Sequence, residues 1–327
     1  MGIILGANQY GKAEIRVVTI DRDTPRHQIH DLSVTTTLRG DFAAAHESGD
    51  QTNVLPTDSQ KNTVFAFAKE QGVDQIEDFA LGLARHFAET VPAVSSARVS
   101  IDSYAWDRVG TPRADPDRAG MGLEDPAGKD PGKDPGKDPG GAGHDHSFVR
   151  RGQDVRTATV TVGVTGHGPG AWVVSGIKDL VVLKSTGSEF RGFFTDRYTT
   201  LAETDDRILA TSLVARWRYS EPAADWAKAH AGIRATILDA FASTHSRALQ
   251  QSLQAMGTAV LRAYPEVAEI RFAAPNKHHF AADLTPFGLD NPGEVFYAAD
   301  RPYGLIEATV IREDAPDPGL AWSASLT

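Results

Sequence analysis

"KDPGKDPGKDPGGAGHDH", residues 129–146, lies in a low-complexity segment spanning 110–146, and its reading decides the fold. Pro and Gly break both regular structures, and the charges of each Lys-Asp-Pro-Gly unit cancel, so no core can form here. The segment is either a linker between domains or an overgrown loop within one. Its flanks favour the loop. "ARVSIDSYAWDRV" (97–109) alternates Val99 and Ile101 with polar neighbours, and "VRTATVTVGVTGH" (155–167) does the same with Ala158, Val160, Val162 and Val164. Such alternation marks half-buried strands, so the expectation is a hairpin with a long tip. His144 and His146 stand at its end, where solvated loop histidines are a simpler reading than a metal site.

With that loop set aside, the halves on either side look alike. The first opens with strand-like "KAEIRVVTIDR" (12–22) and "HDLSVTTTLRG" (30–40), the latter placing Leu32, Val34 and Leu38 on one face. Two helical segments follow, "TDSQKNTVFAFAKEQG" (57–72) and "DQIEDFALGLARHFAETVP" (74–92). In the second, Ile76, Phe79, Leu83, Phe87 and Val91 form one stripe, with Asp74 expected as N-cap and Pro92 as stop. The strand pair around the loop closes this half. The second half repeats the order. "AWVVSGIKDLVVLKST" (171–186) and "RILATSLVARWRYSE" (207–221) read as strands, and "ADWAKAHAGIRATILDAFAST" (224–244) and "SRALQQSLQAMGTAVLRAYP" (246–265) as helices. "VAEIRFAAP" (267–275) and "YGLIEATVIRED" (303–314) are closing strands. The expected fold class is α+β: two tandem domains, 1–166 and 167–327, each an antiparallel sheet with helices on one face. The uncovered sheet face is expected to be buried by oligomerisation, since an exposed apolar face invites aggregation.

Composition narrows the function. The chain has 327 residues, 41% of them hydrophobic, and a formal charge of −10. That charge argues against a nucleic-acid partner, which needs clustered Lys and Arg, but a single local Arg can still hold a small anion. There is no cysteine, which removes disulfides, thiolate metal sites and thiol nucleophiles. The N-terminal "MGIILGANQ" lacks a signal peptide's basic region, no stretch approaches the roughly 20 apolar residues of a membrane span, and the C-terminal "ASLT" is not a peroxisomal tripeptide. A cytoplasmic location is the expectation.

Six blocks stand in order along the chain: "YGK" (10–12), "TDSQKNTVF" (57–65), "KSTGSEF" (184–190), "TDDRILAT" (204–211), "SLQAM" (252–256) and "PNKHHF" (275–280). Together they closely resemble urate oxidase, the cofactor-free uricase family, over the whole chain except the Pro-Gly loop. The resemblance implies a tandem pair of tunnelling-fold (T-fold) domains. It also implies a homotetramer stacked into a barrel, with active sites at subunit interfaces. The implied reaction oxidises urate with O₂ and water to 5-hydroxyisourate and hydrogen peroxide, without metal or organic cofactor.

Each site residue has a plainer reading beside the one the resemblance implies. Arg207 would ordinarily pair with Asp205 or Asp206 at the surface; its planar fork also suits two acceptors on one edge of a flat anion. Gln254 would be an exposed helix glutamine, yet a carboxamide offers the donor and acceptor that read a purine dione's opposite edge. The resemblance adds a contact from the backbone of Leu253. Phe190 would be a core aromatic; the resemblance stacks it under the substrate, where such contacts are worth about 1–3 kcal/mol per base. Thr57 and Asp58 follow Pro56 and would cap a helix, whose N-terminus is also a ready anion site. The resemblance lets both reach a neighbouring subunit's site, with Lys12 acting as a base through the Thr57 hydroxyl.

In "APNKHHF" (274–280), adjacent His278 and His279 on a strand point to opposite faces, which disfavours a shared metal. Asn276 and His278 share a face. The resemblance gives Asn276 to O₂ and then to peroxide or water, and His278 to a proton relay with Lys12 and Thr57. His279 is left as structural. Two other classes stay open. A sibling T-fold enzyme could process pterins or GTP, although its zinc form relies on cysteine ligands absent here. A non-catalytic purine-binding module would need Arg207, Gln254 and Phe190 but not Lys12, Thr57 and His278.

Overall fold

The fold is seen in a computed structural model that describes residues 2–110, 143–166, 168–221 and 225–323. The first half runs β1 (Tyr10–Asp21), β2 (Gln28–Gly40), a short helix α1 (Ala43–Glu47), α2 (Thr57–Glu70), α3 (Ile76–Thr90) and β3 (Val94–Tyr104). A small ribbon of β4 (Trp106–Arg108) and β5 (Phe148–Arg150) follows, and then β6 (Val155–Thr165). The second half runs β7 (Gly168–Lys184), β8 (Leu209–Tyr219), α4 (Trp226–Ser243), α5 (Leu249–Ala263), β9 (Val267–Ala281) and β10 (Phe296–Ile311).

The paired flanks answer the opening question. β3 and β6 are antiparallel neighbours, and β4 pairs with β5 with Trp106 opposite Arg150. Val109 donates to Ser147 O at 3.0 Å and His144 to Val109 O at 2.8 Å, closing the neck of the loop. The loop therefore belongs inside the first half; the repeat itself lies outside the described residues.

The two sheets expected from the sequence are one. Its strand order is β1-β2-β3-β6-β7-β8-β9-β10, antiparallel throughout, because β6 and β7 pair along their length from Val155–Lys178 to Thr165–Gly168. Each half keeps the repeat strand–strand–helix–helix–strand–strand. Its two helices run down and back, so the chain returns to the end of the sheet it left and the next strand is antiparallel. All the long helices lie on one face. Val34, Leu38, Val64, Leu83, Phe87 and Val99 form the first half's core, and Leu213, Trp217, Ile233, Leu253, Met256 and Phe272 the second's. α3 begins one turn's fraction later than expected: Gln75 holds the cap position without a side-chain bond, and Asp74 stands outside.

The opposite face is mixed in character. Alternation puts Ser33, Thr35, Thr37 and Arg39 of β2 there, with Arg98, Ser100 and Asp102 of β3, Arg216 and Arg218 of β8, and Glu269 and Arg271 of β9. Much of this surface is polar, but Val18 and Ile20 of β1, Val181 and Leu183 of β7, and Leu305 and Ile311 of β10 stay exposed on it. The chain's own C-terminal segment covers part of it. Arg98 donates to Leu320 O at 3.1 Å, Arg218 to Pro316 O at 2.9 Å, and Trp322 Nε1 to Glu269 at 3.0 Å. Also exposed are the outer edges of β1 and β10, two long strands whose free backbone groups invite pairing.

Candidate functional site

The site residues expected from sequence fall into two groups at opposite ends of the sheet. Lys12 lies on β1, the first strand in order, and Thr57 and Asp58 open α2, which packs on β1. Gly11 allows the close approach at Lys12, because a Cβ there would stand 1.8 Å from Thr36 O. Thr36 ties the group together: its Oγ1 donates to Gln60 Oε1 at 2.7 Å and accepts from the Lys12 amide at 3.2 Å. Tyr10 adds an O–H donation to Leu55 O at 3.1 Å, ahead of the helix. Neither Thr57 nor Asp58 serves as a cap. Pro56 occupies that position and no side chain bonds the helix start. Asp58 is exposed, and its carboxyl is held below the ordinary range first by a bond from Lys61, then by Asn62 and the nearby charge of Lys12.

The second group gathers around the starts of β8 and α5 and the far half of β9. Arg207 is two residues ahead of β8, and its backbone N–H donates to Ser188 O at 2.8 Å. Neither aspartate before it is its partner. Asp205 pairs with Arg191, and Asp206 accepts from the Thr186 hydroxyl at 3.0 Å and the Gly187 amide at 3.1 Å. Among the described residues no carboxylate lies within ion-pair distance of Arg207. Its guanidinium instead sits 5.0 Å from the Phe190 ring centre, and its Nε lies 3.4 Å from the Ser188 hydroxyl. Burial lowers its pKa from the usual guanidinium value, the mark of a cation short of compensation.

Phe190 is fixed by backbone bonds to Thr204 in both directions, at 2.9 and 3.1 Å. Phe193 stacks nearly parallel on it, with centroids 4.8 Å apart, and backs the aromatic surface. Sequence reading passed over Phe193; its spacing of three from Phe190 is the only signal it carries. Leu253 is fully buried in the core, while Gln254 is exposed one residue on, its amide Nε2 3.3 Å from the Thr258 hydroxyl. Asn276 stands opposite Thr211 of β8 and Gly304 of β10. His278 lies two residues further along β9, with its ring 5.7 Å from that of Phe280. His279 Nδ1 donates to Lys277 O at 3.1 Å, which suits a structural role. Among the described residues no three His, Cys, Asp or Glu side chains come together as a metal site.

β1 and β9 are the first and seventh strands of the sheet. Six steps of about 4.8 Å put the groups roughly 29 Å apart, far beyond one small substrate. Within one chain the two groups stand apart.

The family model described as uricase matches residues 8–161 and 173–307 of this chain. The chain belongs to the uricase family. It is 48% identical to the uricase of Arthrobacter globiformis over 321 residues, covering 98% of this chain and 94% of that one. It is 32% identical to the zebrafish (Danio rerio) uricase, covering 93% of each. A crystal structure of the Arthrobacter globiformis uricase superposes with a TM-score of 0.85 at 48% identity, over 99% of this chain and 100% of that one. The uricase fold is a T-fold, and the repeated halves with antiparallel strands and helices on one face are its two units here. No described helix is long and apolar enough to cross a membrane.

Proposed function

We propose that this uricase oxidises urate with O₂ and water to 5-hydroxyisourate and hydrogen peroxide, in sites each built from the Lys12 half of one subunit and the Arg207 half of another. The observation that carries the reading is Arg207: a half-buried guanidinium over an aromatic ring, with no carboxylate partner among the described residues. A flat anionic heterocycle would supply both the missing charge and a stacking face. Gln254 would read the opposite edge, with the backbone of Leu253 beside it. The half-site separation and the free β1 and β10 edges support a closed assembly, a homotetramer formed as a barrel. Each subunit would contribute the units 1–166 and 167–327.

The chemistry asked of the protein is positioning and proton handling. Triplet O₂ reacts slowly with closed-shell molecules, and a doubly deprotonated urate can itself supply an electron. Lys12 would act through the Thr57 hydroxyl, with His278, to accept the proton that must leave. Asp58 would help hold Lys12 at the helix start, whose uncapped N–H groups favour an anion. Asn276 would hold O₂ over the ring. One-electron transfer and recombination would form a C5 hydroperoxide. Loss of hydrogen peroxide leaves dehydrourate, and water from the Asn276–Thr57 site adds at C5. Urate thus loses two electrons, O₂ gains them with two protons, and water supplies the new hydroxyl. Under this reading neither a metal nor an organic cofactor takes part. We place the activity in the cytoplasm, which suits a chain without cysteine.

The test is ultraviolet loss of urate under air with peroxide detection, before and after exhaustive chelation. Chelator-resistant turnover with about one peroxide per urate agrees with the stoichiometry above. Urate binding without turnover would make the chain a purine-binding module. Turnover lost to the chelator and restored by a metal would overturn the cofactor-free reading.

A further inference from the structure

Behind Arg207 lies a run of three buried serines that the proposed chemistry does not use. Ser188 and Ser246 are 0% exposed and Ser252 1%, deeper than most polar side chains in the chain. Ser188 receives Arg207 twice, at its carbonyl from the backbone N–H (2.8 Å) and at its hydroxyl from Nε (3.4 Å). Ser188 and Ser246 are bridged through the backbone. Ser246 donates its N–H to Gly187 O at 2.9 Å, and its carbonyl accepts from Glu189 N at 2.8 Å. The Ser246 hydroxyl then meets α5. It accepts from Ser252 Oγ at 2.8 Å and donates to Ala248 O, the cap residue of that helix, at 3.1 Å. Ser252 directly precedes Leu253 and Gln254. A continuous bonded path therefore joins the residue proposed to grip one edge of the substrate to the helix carrying the residue proposed for the other.

The two ends differ in how they are held. Arg207 belongs to a loop segment rather than to β8, whereas α5 is anchored by Leu249, Leu253 and Met256 in the core and by Gln251 Oε1, which accepts from the Arg247 amide at 2.9 Å. Gln254 itself is exposed on the helix. A short hydroxyl-to-hydroxyl bond in a dry interior has one length, and a group stripped of its partner there is costly to leave unpaired. Such a bond sets a spacing and resists change in it.

We infer that Ser188, Ser246 and Ser252 form a positioning unit that sets the distance between Arg207 and Gln254, and so the width of planar anion the site accepts. The inference rests on the urate reading above, and it assigns the serines no contact with substrate. Loss of the Ser252 hydroxyl would free the Arg207 loop to shift against α5, weakening both ground-state and transition-state binding while leaving the proton relay intact.

The experiment compares wild type, Ser252→Ala, Ser252→Thr and Arg207→Lys in the assembled enzyme. It measures KM and kcat for urate and the affinity of two competitive purine inhibitors, one urate-sized and one bearing an extra methyl group on the edge facing Gln254. Ser252→Ala should raise KM about 5- to 20-fold with kcat changed less than about threefold, and should narrow the preference between the two inhibitors. Ser252→Thr, which keeps a hydroxyl, should recover most of the lost affinity if its melting temperature matches wild type; if it melts lower, Ser246→Ala replaces it and should reproduce the KM rise. An unchanged KM and inhibitor preference in Ser252→Ala, with Arg207→Lys strongly impaired, would overturn the positioning unit alone. A fall in kcat and melting temperature with no change in inhibitor preference would assign the serines to structure only and also overturn it. Wild type that does not turn over urate would instead remove the reading beneath it.

Discussion

Arg207 carries its guanidinium 5.0 Å from the centre of the Phe190 ring, while the aspartates beside it in sequence are engaged elsewhere. Had either taken Arg207 as an ion-pair partner, the cation would be satisfied and would leave no charge for the proposed substrate to meet. Replacing it by Lys keeps the charge and removes the planar fork. We expect Arg207→Lys to weaken urate and competitive inhibitors by about 1.5–3 kcal/mol, roughly 10- to 150-fold. Isothermal titration with a non-reacting purine inhibitor measures it. A loss under twofold would mean that the fork does not contact the ligand.

The proposed sharing of each site between subunits makes a sharper demand. Thr57→Ala removes a residue on the Lys12 side, and Arg207→Ala one on the other side. Each variant alone should form assemblies of very low activity. Co-expressed, they bring together interfaces in which an intact Thr57 meets an intact Arg207, about a quarter of all sites for random mixing. Activity should therefore rise well above that of either parent. No rise in verified mixed assemblies would mean that each site draws on one chain. Separately, Thr57→Ala should lower kcat more than it weakens inhibitor binding, because the role proposed for it is in proton transfer. Equal effects would count against that role.

Much of this fold was legible in local patterns. Val99, Ile101, Ala158 and Val160 alternate as strands do, and all four are buried on the helix side of the sheet. Ile76, Phe79, Leu83 and Phe87 recur at helical spacing and face the core. The merging of the halves was not legible, because β6 pairs with β7 through backbone groups that every residue carries. The cap at Asp74 failed for a related reason: the helix start is set where Ile76 and Glu77 are buried, not where a good capping side chain stands nearest. Partner choice was hidden too. Four carboxylates, Glu189, Glu203, Asp205 and Asp206, lie within four residues of Arg191 or Arg207, and only the folded loop shows that Asp205 goes to Arg191 and Asp206 to Thr186 and Gly187. The buried serines carry no local pattern at all.

The junction of the halves depends on Glu77, which is 1% exposed and accepts from Arg156 and from Ser175, each at 2.6 Å. Arg156 and Ser175 lie on β6 and β7, the strands that fuse the two halves. Breaking a buried pair leaves an uncompensated charge and costs about 3–5 kcal/mol. Glu77→Gln should lower the melting temperature by several degrees at fixed protein concentration, whereas Asp58→Asn, an exposed change, should leave it nearly unmoved. Similar melting of both would mean that Glu77 does not secure the junction.

The closed neck of the Pro-Gly loop makes its tip separable from the fold. β4 and β5 pair, Arg151 reaches Asp107, and Arg108 donates to Asp145 O at 2.7 Å, so the strands meet before the repeat begins. Long loops add little closure cost, about 0.6 kcal/mol for each doubling. Deleting residues 122–141 should leave assembly state, activity and melting temperature close to those of the full chain. Gel filtration and urate turnover decide it, and loss of either would give the repeat a structural role.

Acid should act through His230. Burial pushes its pKa down to about 4, with the charges of Arg156 and Arg234 acting in the same direction and Asp154 against them. Its Nε2 has no hydrogen-bond partner among the described residues, and Trp217 lies 5.8 Å away, so the folded site suits the neutral ring. The unfolded chain titrates near 6.5. Between these values the unfolded state binds more protons, so stability rises with pH and is lost as pH falls from about 6.5 towards 4. At 1.36 kcal/mol per pH unit the full loss is about 3 kcal/mol, and below pH 4 this group adds no further slope. His230→Gln removes the titration. Its melting temperature should be the less pH-dependent of the two between pH 7 and 5, measured at fixed protein concentration. Parallel slopes for variant and wild type would place the acid sensitivity elsewhere.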